Sequence, residues 1–352
     1  MNDEERRYEL TKVAKLISDE EFSRKSTSTE RKKHYAELVR NPKFLEYIKS
    51  MTQTEEPLKQ QQKIFKVPTA DIDFDNYLPI KWGVEYVELD DEARELEECI
   101  LNGIPYLVEG DKGLGKTQVV NNICVKHNVP LVALNCSDGT KIGDLIGRPQ
   151  INEFGSYFQL GALPTAIEVT NHFKKCVLYM DEFNALAHEM QKATNSVTDG
   201  RQSIVANGKI YRLNEGCKLS VIATMNPSTY SGVNTLTEDS RSRFIGRTWD
   251  YPTTDQLLKI VDWSNIPVET VVEPILTLSQ NVHNLRANSD VDYSLSPRDL
   301  VQFADCYRMW DKTTLGKALK RSLNNTVVCK FSDQTQRELV KKQIKEIFGV
   351  DV

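Results

Sequence analysis

The stretch Gly110-Asp111-Lys112-Gly113-Leu114-Gly115-Lys116-Thr117 fits the pattern G-x-x-x-x-G-K-[ST], and that pattern admits few folds. It works where a buried strand ends, a glycine-rich loop turns and a helix begins. The glycines let the loop aim several backbone N–H groups at phosphate oxygens with no side chain in the way. The lysine reaches the β- and γ-phosphates, and the following hydroxyl can ligate Mg2+. The new helix also turns its positive dipole end toward the anion. The flanks agree, since Ile104 to Val108 reads as a short buried strand and Gln118 to His127 as a helix. These residues predict a nucleoside triphosphate site.

Further apolar runs extend that unit into a sheet. Pro130 to Asn135, Cys176 to Met180, Leu219 to Met225 and Gly246 to Tyr251 are short and separated by longer helical stretches. That alternation predicts a parallel sheet of five strands with helices on both faces. Ligands of such sheets bind at the carboxyl ends of the strands, and polar residues cluster there. Asp181-Glu182 closes one run; the first acid can hold Mg2+ and the second can polarise an attacking water. Asn226, ending the next run, is expected beside the acids, where an amide can orient water against the γ-phosphate. A plain Asn-Pro turn is the other reading. Arg241 and Arg243 stand close to a strand, where a guanidinium can reach a neighbouring subunit's γ-phosphate; a surface salt bridge is the alternative. Asn207-Gly208 within Ser203 to Leu213 predicts a hairpin, and Arg148 to Gly161 a weaker one. Ser296-Pro297-Arg298 marks a helix start, which puts a cation where it opposes the helix dipole, as an anion-binding residue would be. His188-Glu189 lacks the second histidine of a zinc motif, with Lys192 in its place, so His188 reads as an ordinary helix residue.

The 352 residues allow two or three domains. Residues 1–66 read as a charged helical extension and linker, 67–252 as the α/β nucleotide-binding domain, and 253–352 as a helical domain. The net charge of −5 gives no global footprint for nucleic acid. The seven cysteines are dispersed without a C-x-x-C pair, the pattern of reduced thiols. The N-terminus has no apolar h-region, and no apolar run approaches a membrane span. The expectation is a soluble cytoplasmic protein.

In order and spacing these motifs resemble the AAA+ ATPases, and within them the MoxR group with its CbbQ, NorQ and GvpN types. The resemblance covers roughly residues 80–310. It rests on the glycine-rich loop, Asp-Leu-Ile-Gly at 144–147, Gly161-Ala162-Leu163, the acidic VLYMDEFNAL stretch and ATMNP at 223–227. Arg243-Phe244, Tyr251-Pro252 and Ser296-Pro297-Arg298 complete it. It implies a P-loop AAA+ parallel five-stranded sheet flanked by helices, a C-terminal all-α lid domain, and ATP with Mg2+ at the site. The loop from Gly110 through Asp111, Lys112, Gly113, Leu114, Gly115, Lys116 and Thr117 to Gln118 is then the nucleotide-binding segment. Thr117 and Asp181 become the metal residues, Glu182 the catalytic acid beside Lys116, and Asn226 the sensor-1 residue. Arg298 becomes sensor 2 and Arg243 the arginine finger, with Arg241 as the other candidate. The two hairpins become the helix-2 insert and the pre-sensor-1 hairpin, which face the pore or substrate side of a hexameric ring. The loop departs from the family where Asp111 and Lys112 replace two prolines.

The resemblance implies a chaperone-like machine: a homo-oligomeric ring that remodels a protein client, in some relatives through a von Willebrand factor A domain adaptor. A nucleic-acid motor of the McrB or replication type is the competing reading. The acidic balance and the lack of a recognisable DNA-binding module count against it.

Overall fold

The apolar runs become five parallel strands in one sheet, and the acids, the amide and the glycine-rich loop all emerge at its carboxyl edge. The computed structural model describes residue 42 and residues 67–82, 86–153, 155–227, 234–310 and 315–352. The helices and linker expected within 1–66 therefore lie outside the described residues, apart from residue 42. Residues 67–352 form one unit.

In chain order, α1 (Glu92–Asn102) precedes β1 (Tyr106–Gly110), and α2 (Lys116–His127) leaves the glycine-rich loop. β2 (Leu131–Asn135), the short α3 (Ile142–Leu145) and the hairpin of β3 (Gly147–Asn152) with β4 (Gly155–Leu160) follow. Next come α4 (Ala162–Phe173), β5 (Lys175–Asp181) and α5 (His188–Thr198). The second hairpin pairs β6 (Ser203–Ala206) with β7 (Lys209–Arg212); its turn residues Asn207 and Gly208 take φ of 48° and 68°, as a two-residue turn of this hand requires. β8 (Lys218–Met225), α6 (Glu238–Arg241) and β9 (Ile245–Trp249) complete the α/β part.

The sheet order is β2-β5-β8-β1-β9, and every pairing is parallel. Strand limits differ from the sequence expectation by one or two residues, most clearly at β1 and β9. β1 begins at Tyr106, not Ile104, because Pro105 has no N–H for the ladder. β9 stops at Trp249 because its partner β1 ends opposite it, at Gly110.

Side chains alternate across a strand, and here each parity has its own core. Leu178, Met180, Val221 and Ala223 pack with Leu163 and Ile167 of α4 on one face. Val177, Tyr179, Tyr106, Val108 and Ile222 pack with α1 and α2 on the other. A fully buried side chain of the Leu or Met class contributes about 1.5–3 kcal/mol, so slipping β5 by one residue would exchange both faces. The same parity sends Asp181, Thr224 and Asn226 to the α2 side.

From Thr254 onward the described elements are helical: α7 (Thr254–Ile260), α8 (Glu273–Ala287), α9 (Pro297–Trp310), α10 (Leu315–Thr326) and α11 (Gln334–Phe348). The helical reading of residues 253–352 holds among the described residues, with one interruption. A π-turn at Val268–Val272 precedes α8, since Pro274 cannot donate the bond a continuous helix needs. These helices share a separate core that includes Leu257, Leu276, Phe303, Tyr307 and Ile344. All seven cysteines are free, and Cys176 is buried within β5. Among the described residues no helix is long and apolar enough to cross a membrane.

Candidate active site

The loop between β1 and α2 holds Gly113 at φ +81° and Gly115 at φ +84°, both in the left-handed region that glycine alone enters readily. Lys116 opens α2 and turns its ammonium back into the loop. Its Nζ donates to the Gly110 carbonyl and, at 2.9 Å, to that of Asp111. It reaches Asn226 Oδ1 at 3.3 Å. Lys116 is 8% exposed. Burial pulls its pKa down to about 8, against the opposing pull of Asp181, Asp111 and Glu182. A buried cation resting on neutral carbonyls suits an anionic ligand, whose charge would serve it better than the carbonyl dipoles do.

The acids sit at the carboxyl end of β5, which β8 separates from β1. Asp181 Oδ2 accepts from Thr117 Oγ1 at 3.3 Å, and Asp181 Oδ1 accepts from Thr224 Oγ1 at 2.5 Å. Tyr179, one pleat earlier on the same face, lies 2.9 Å from the Thr117 hydroxyl. Burial and the neighbouring Asp181 push its phenol pKa upward. Glu182 takes a left-handed φ of 54°, a conformation that costs roughly 1–2 kcal/mol in a residue with a Cβ. The Glu182 N–H is held by Thr224 Oγ1 at 3.2 Å, and its carboxylate accepts from Asn226 Nδ2 at 3.2 Å. Lys112 stands 3.7 Å from the same oxygen. Asn226 thus bridges Lys116 and Glu182, and its own carbonyl is fixed by buried Asn184 at 2.8 Å. The Glu182 side chain remains 41% exposed, open to water.

Beside the loop lies a cavity of about 320 Å³ whose lining includes Tyr86, Leu114, Trp249, Tyr251, Thr253 and Gln256. Tyr86 touches the loop at Gly115 and packs near Trp249, with ring centroids 6.0 Å apart. The Trp249 indole N–H has no hydrogen-bond partner among the described residues. Flat rings and an unspent donor next to a phosphate-binding loop suit a nucleobase. Sequence reading passed over most of this wall. Only Leu114, within the loop motif, and Tyr251-Pro252 carried a signal, because Tyr86 and Trp249 are far apart in the chain and meet only in the fold.

The helical part closes on the loop from the other side. A Cβ on Gly113 would come within 2.4 Å of Ser296 Oγ and 3.4 Å of the Arg298 Cβ. The first turn of α9 therefore lies directly against the loop. Ser296 donates its N–H and hydroxyl to Asp299 at 2.8 and 2.6 Å, which fixes that turn. Arg298 is exposed there and makes no ion pair among the described residues. Arg286 of α8 pairs with Asp111 at 3.3 Å. The structure thus brings together Lys116, Thr117, Asp181, Glu182 and Asn226, with Arg298 adjoining.

It does not bring in Arg241 or Arg243. Arg243 pairs in its own chain with Asp239 at 3.0 Å and Asp199 at 3.6 Å. Arg241 is exposed and lines a separate recess with Glu109, Met225 and Phe244. His188 begins α5 and approaches the Thr235 carbonyl at 3.1 Å.

Known proteins agree with this arrangement. The family model described as AAA domain (dynein-related subfamily) matches residues 105–244. The denitrification regulatory protein NirQ of Pseudomonas aeruginosa is 25% identical over 210 residues, covering 60% of this chain and 78% of that protein. Protein CbbQ of Hydrogenophilus thermoluteolus is 23% identical over 230 residues, covering 65% and 84%. Protein NorQ of Paracoccus denitrificans is 22% identical over 262 residues, covering 74% and 92%. The matched domain runs from the strand before the glycine-rich loop to the residue after Arg243, and those relatives are of the types that the motif order resembles. Residues 105–244 form an AAA domain, and the chain is similar to AAA+ ATPases of the MoxR group.

Proposed function

We propose that this protein hydrolyses ATP with Mg2+ at the interfaces of a homo-oligomeric, six-membered ring and uses the cycle to remodel a protein client. The observation that carries the chemistry is the bridge from Lys116 through Asn226 to Glu182. Lys116 takes the phosphate oxygens in place of its loop carbonyls. Asn226 holds the attacking water in line, and Glu182 accepts its proton, a role served by a carboxylate that is both fixed by hydrogen bonds and open to solvent. Thr117 and Asp181 offer the hydroxyl and carboxylate oxygens that Mg2+ prefers, and the metal would neutralise charge on the phosphates. Arg298 stands at the loop to sense the phosphate from α9, so that residues 253–352 act as a lid over residues 67–252.

Hydrolysis at an interface needs a cation from the neighbour. Arg241 is the exposed candidate, while Arg243 is engaged within its own protomer. The client reading draws on both hairpins, which expose Ile151, Val205 and Ile210 at 82%, 61% and 61%. Apolar tips held clear of the core suit contact with a polypeptide. A von Willebrand factor A domain adaptor is carried over from the resemblance alone, whereas a place in the cytoplasm draws on the free, dispersed cysteines.

The test is the solution mass of the Glu182→Gln protein by light scattering, with and without ATP. Loss of the base traps the ATP-bound state, and the expected mass with ATP is that of about six protomers. A monomer at saturating ATP would overturn the self-assembling ring.

A further inference from the structure

Beneath the acids lie two buried hydroxyls that no step above uses. Tyr179 is 3% exposed and Thr224 is fully buried, and both face α2 from neighbouring strands. Together with Thr117 and Asp181 they form a closed set of polar side chains. An ionised carboxylate only accepts hydrogen bonds. Thr117 must therefore donate its single proton to Asp181 Oδ2, and Thr224 must donate its own to Asp181 Oδ1. With the Thr117 proton spent, the 2.9 Å contact to Tyr179 can only be donated by the phenol. The Thr117 oxygen has two lone pairs; one takes the Tyr179 proton, and the other remains for a ligand. Thr224 is equally committed, because its oxygen also accepts the Glu182 N–H at 3.2 Å.

From this proton count we infer that Tyr179 and Thr224 are positioning residues that pre-orient the Thr117 hydroxyl and the Asp181 carboxylate for a divalent cation. The inference rests on the nucleotide-site reading of those two groups. Without the phenol, the Thr117 hydroxyl turns freely and can offer its proton where a lone pair is needed. Without the Thr224 hydroxyl, Asp181 loses the bond to its second oxygen, and the Glu182 N–H loses its acceptor. Parity explains why these residues and no others serve. Tyr179 and Asp181 are one pleat apart on β5, and Thr224 on β8 stands two residues before Asn226 just past the strand's end, so each acid or amide has its support directly behind it. Supporting hydrogen bonds behind metal ligands commonly govern metal affinity in this way.

The experiment uses the full-length Glu182→Gln protein, which does not turn over, and a fluorescent ATP analogue read by anisotropy. Affinity is measured in EDTA and across a Mg2+ titration. Tyr179→Phe and Thr224→Val should each raise the half-saturating Mg2+ about tenfold while affinity in EDTA stays within about twofold. Thr224→Ser keeps the hydroxyl and should behave as the parent. Tyr179→Phe removes one oxygen from an intact ring, so it and Thr224→Ser decide the matter if Thr224→Val fails to fold. An unchanged Mg2+ midpoint in Tyr179→Phe, or an equal loss in EDTA, would overturn the positioning role. A parent protein that binds no analogue under either condition would instead overturn the nucleotide-site reading beneath it.

Discussion

Raising the pH from 7 to 9 should weaken ATP binding while partly stabilising the free protein, and both effects trace to one ammonium. Burial holds Lys116 at a pKa of about 8, against an ordinary 10.5. In the unliganded protein its charged fraction falls from about nine-tenths at pH 7 to about one-tenth at pH 9. A bound triphosphate keeps the lysine protonated, so the protein must take up a proton to bind above pH 8. Affinity should then fall about tenfold over that interval. Stability moves the other way. Below pH 8 both folded and unfolded chains carry the charge, and the folded chain bears a desolvation cost on the order of 3 kcal/mol. Between pH 8 and 10.5 the unfolded chain holds a proton that the folded chain has released, so stability rises through that window. Other groups titrate there too, and the signal is the difference from Lys116→Met, which keeps the stem and loses the charge. Affinity comes from anisotropy of a fluorescent ATP analogue on Glu182→Gln protein, and stability from urea melts of the two chains. A flat affinity from pH 7 to 9.5, or a parent-minus-Met difference that does not change with pH, would refute the reasoning.

Three further outcomes follow from the site and its surroundings. Gly113→Ala places a Cβ in a left-handed backbone and 2.4 Å from Ser296 Oγ; it should destabilise by about 2–4 kcal/mol in urea melts, from the backbone cost and the disturbed Ser296–Asp299 bonds. Arg241→Ala should leave the urea midpoint almost unmoved, within about 0.5 kcal/mol, yet lower ATP turnover on the order of a thousandfold. Arg243→Ala should lower the urea midpoint, because Asp199 and Asp239 lose a shared partner. Steady-state ATPase and melts on both variants separate the two arginines.

Much of this protein was legible in its sequence because the relevant physics is local. The glycine-rich loop is contiguous, so its turn, its lysine and the helix it opens are written in adjacent residues. Hairpin β6–β7 is likewise local, since Asn207-Gly208 supplies the positive φ values that its turn needs. Strand parity is local too. Once β5 is a strand, Tyr179 and Asp181 must share a face.

What the sequence left open were the relations between distant segments. The order β2-β5-β8-β1-β9 places β8 between β5 and β1, and only that order sets Asn226 between Lys116 and Glu182, although 110 positions separate Asn226 from Lys116 in the chain. The support that Tyr179 and Thr224 give the acids, the wall built from Tyr86 and Trp249, and the seating of α9 on Gly113 arise in the same way. Each depends on long-range packing of apolar faces, which selects neighbours without regard to their separation along the chain. Residue types and local spacing determined which chemistry is present; the burial of both sheet faces decided where its parts meet.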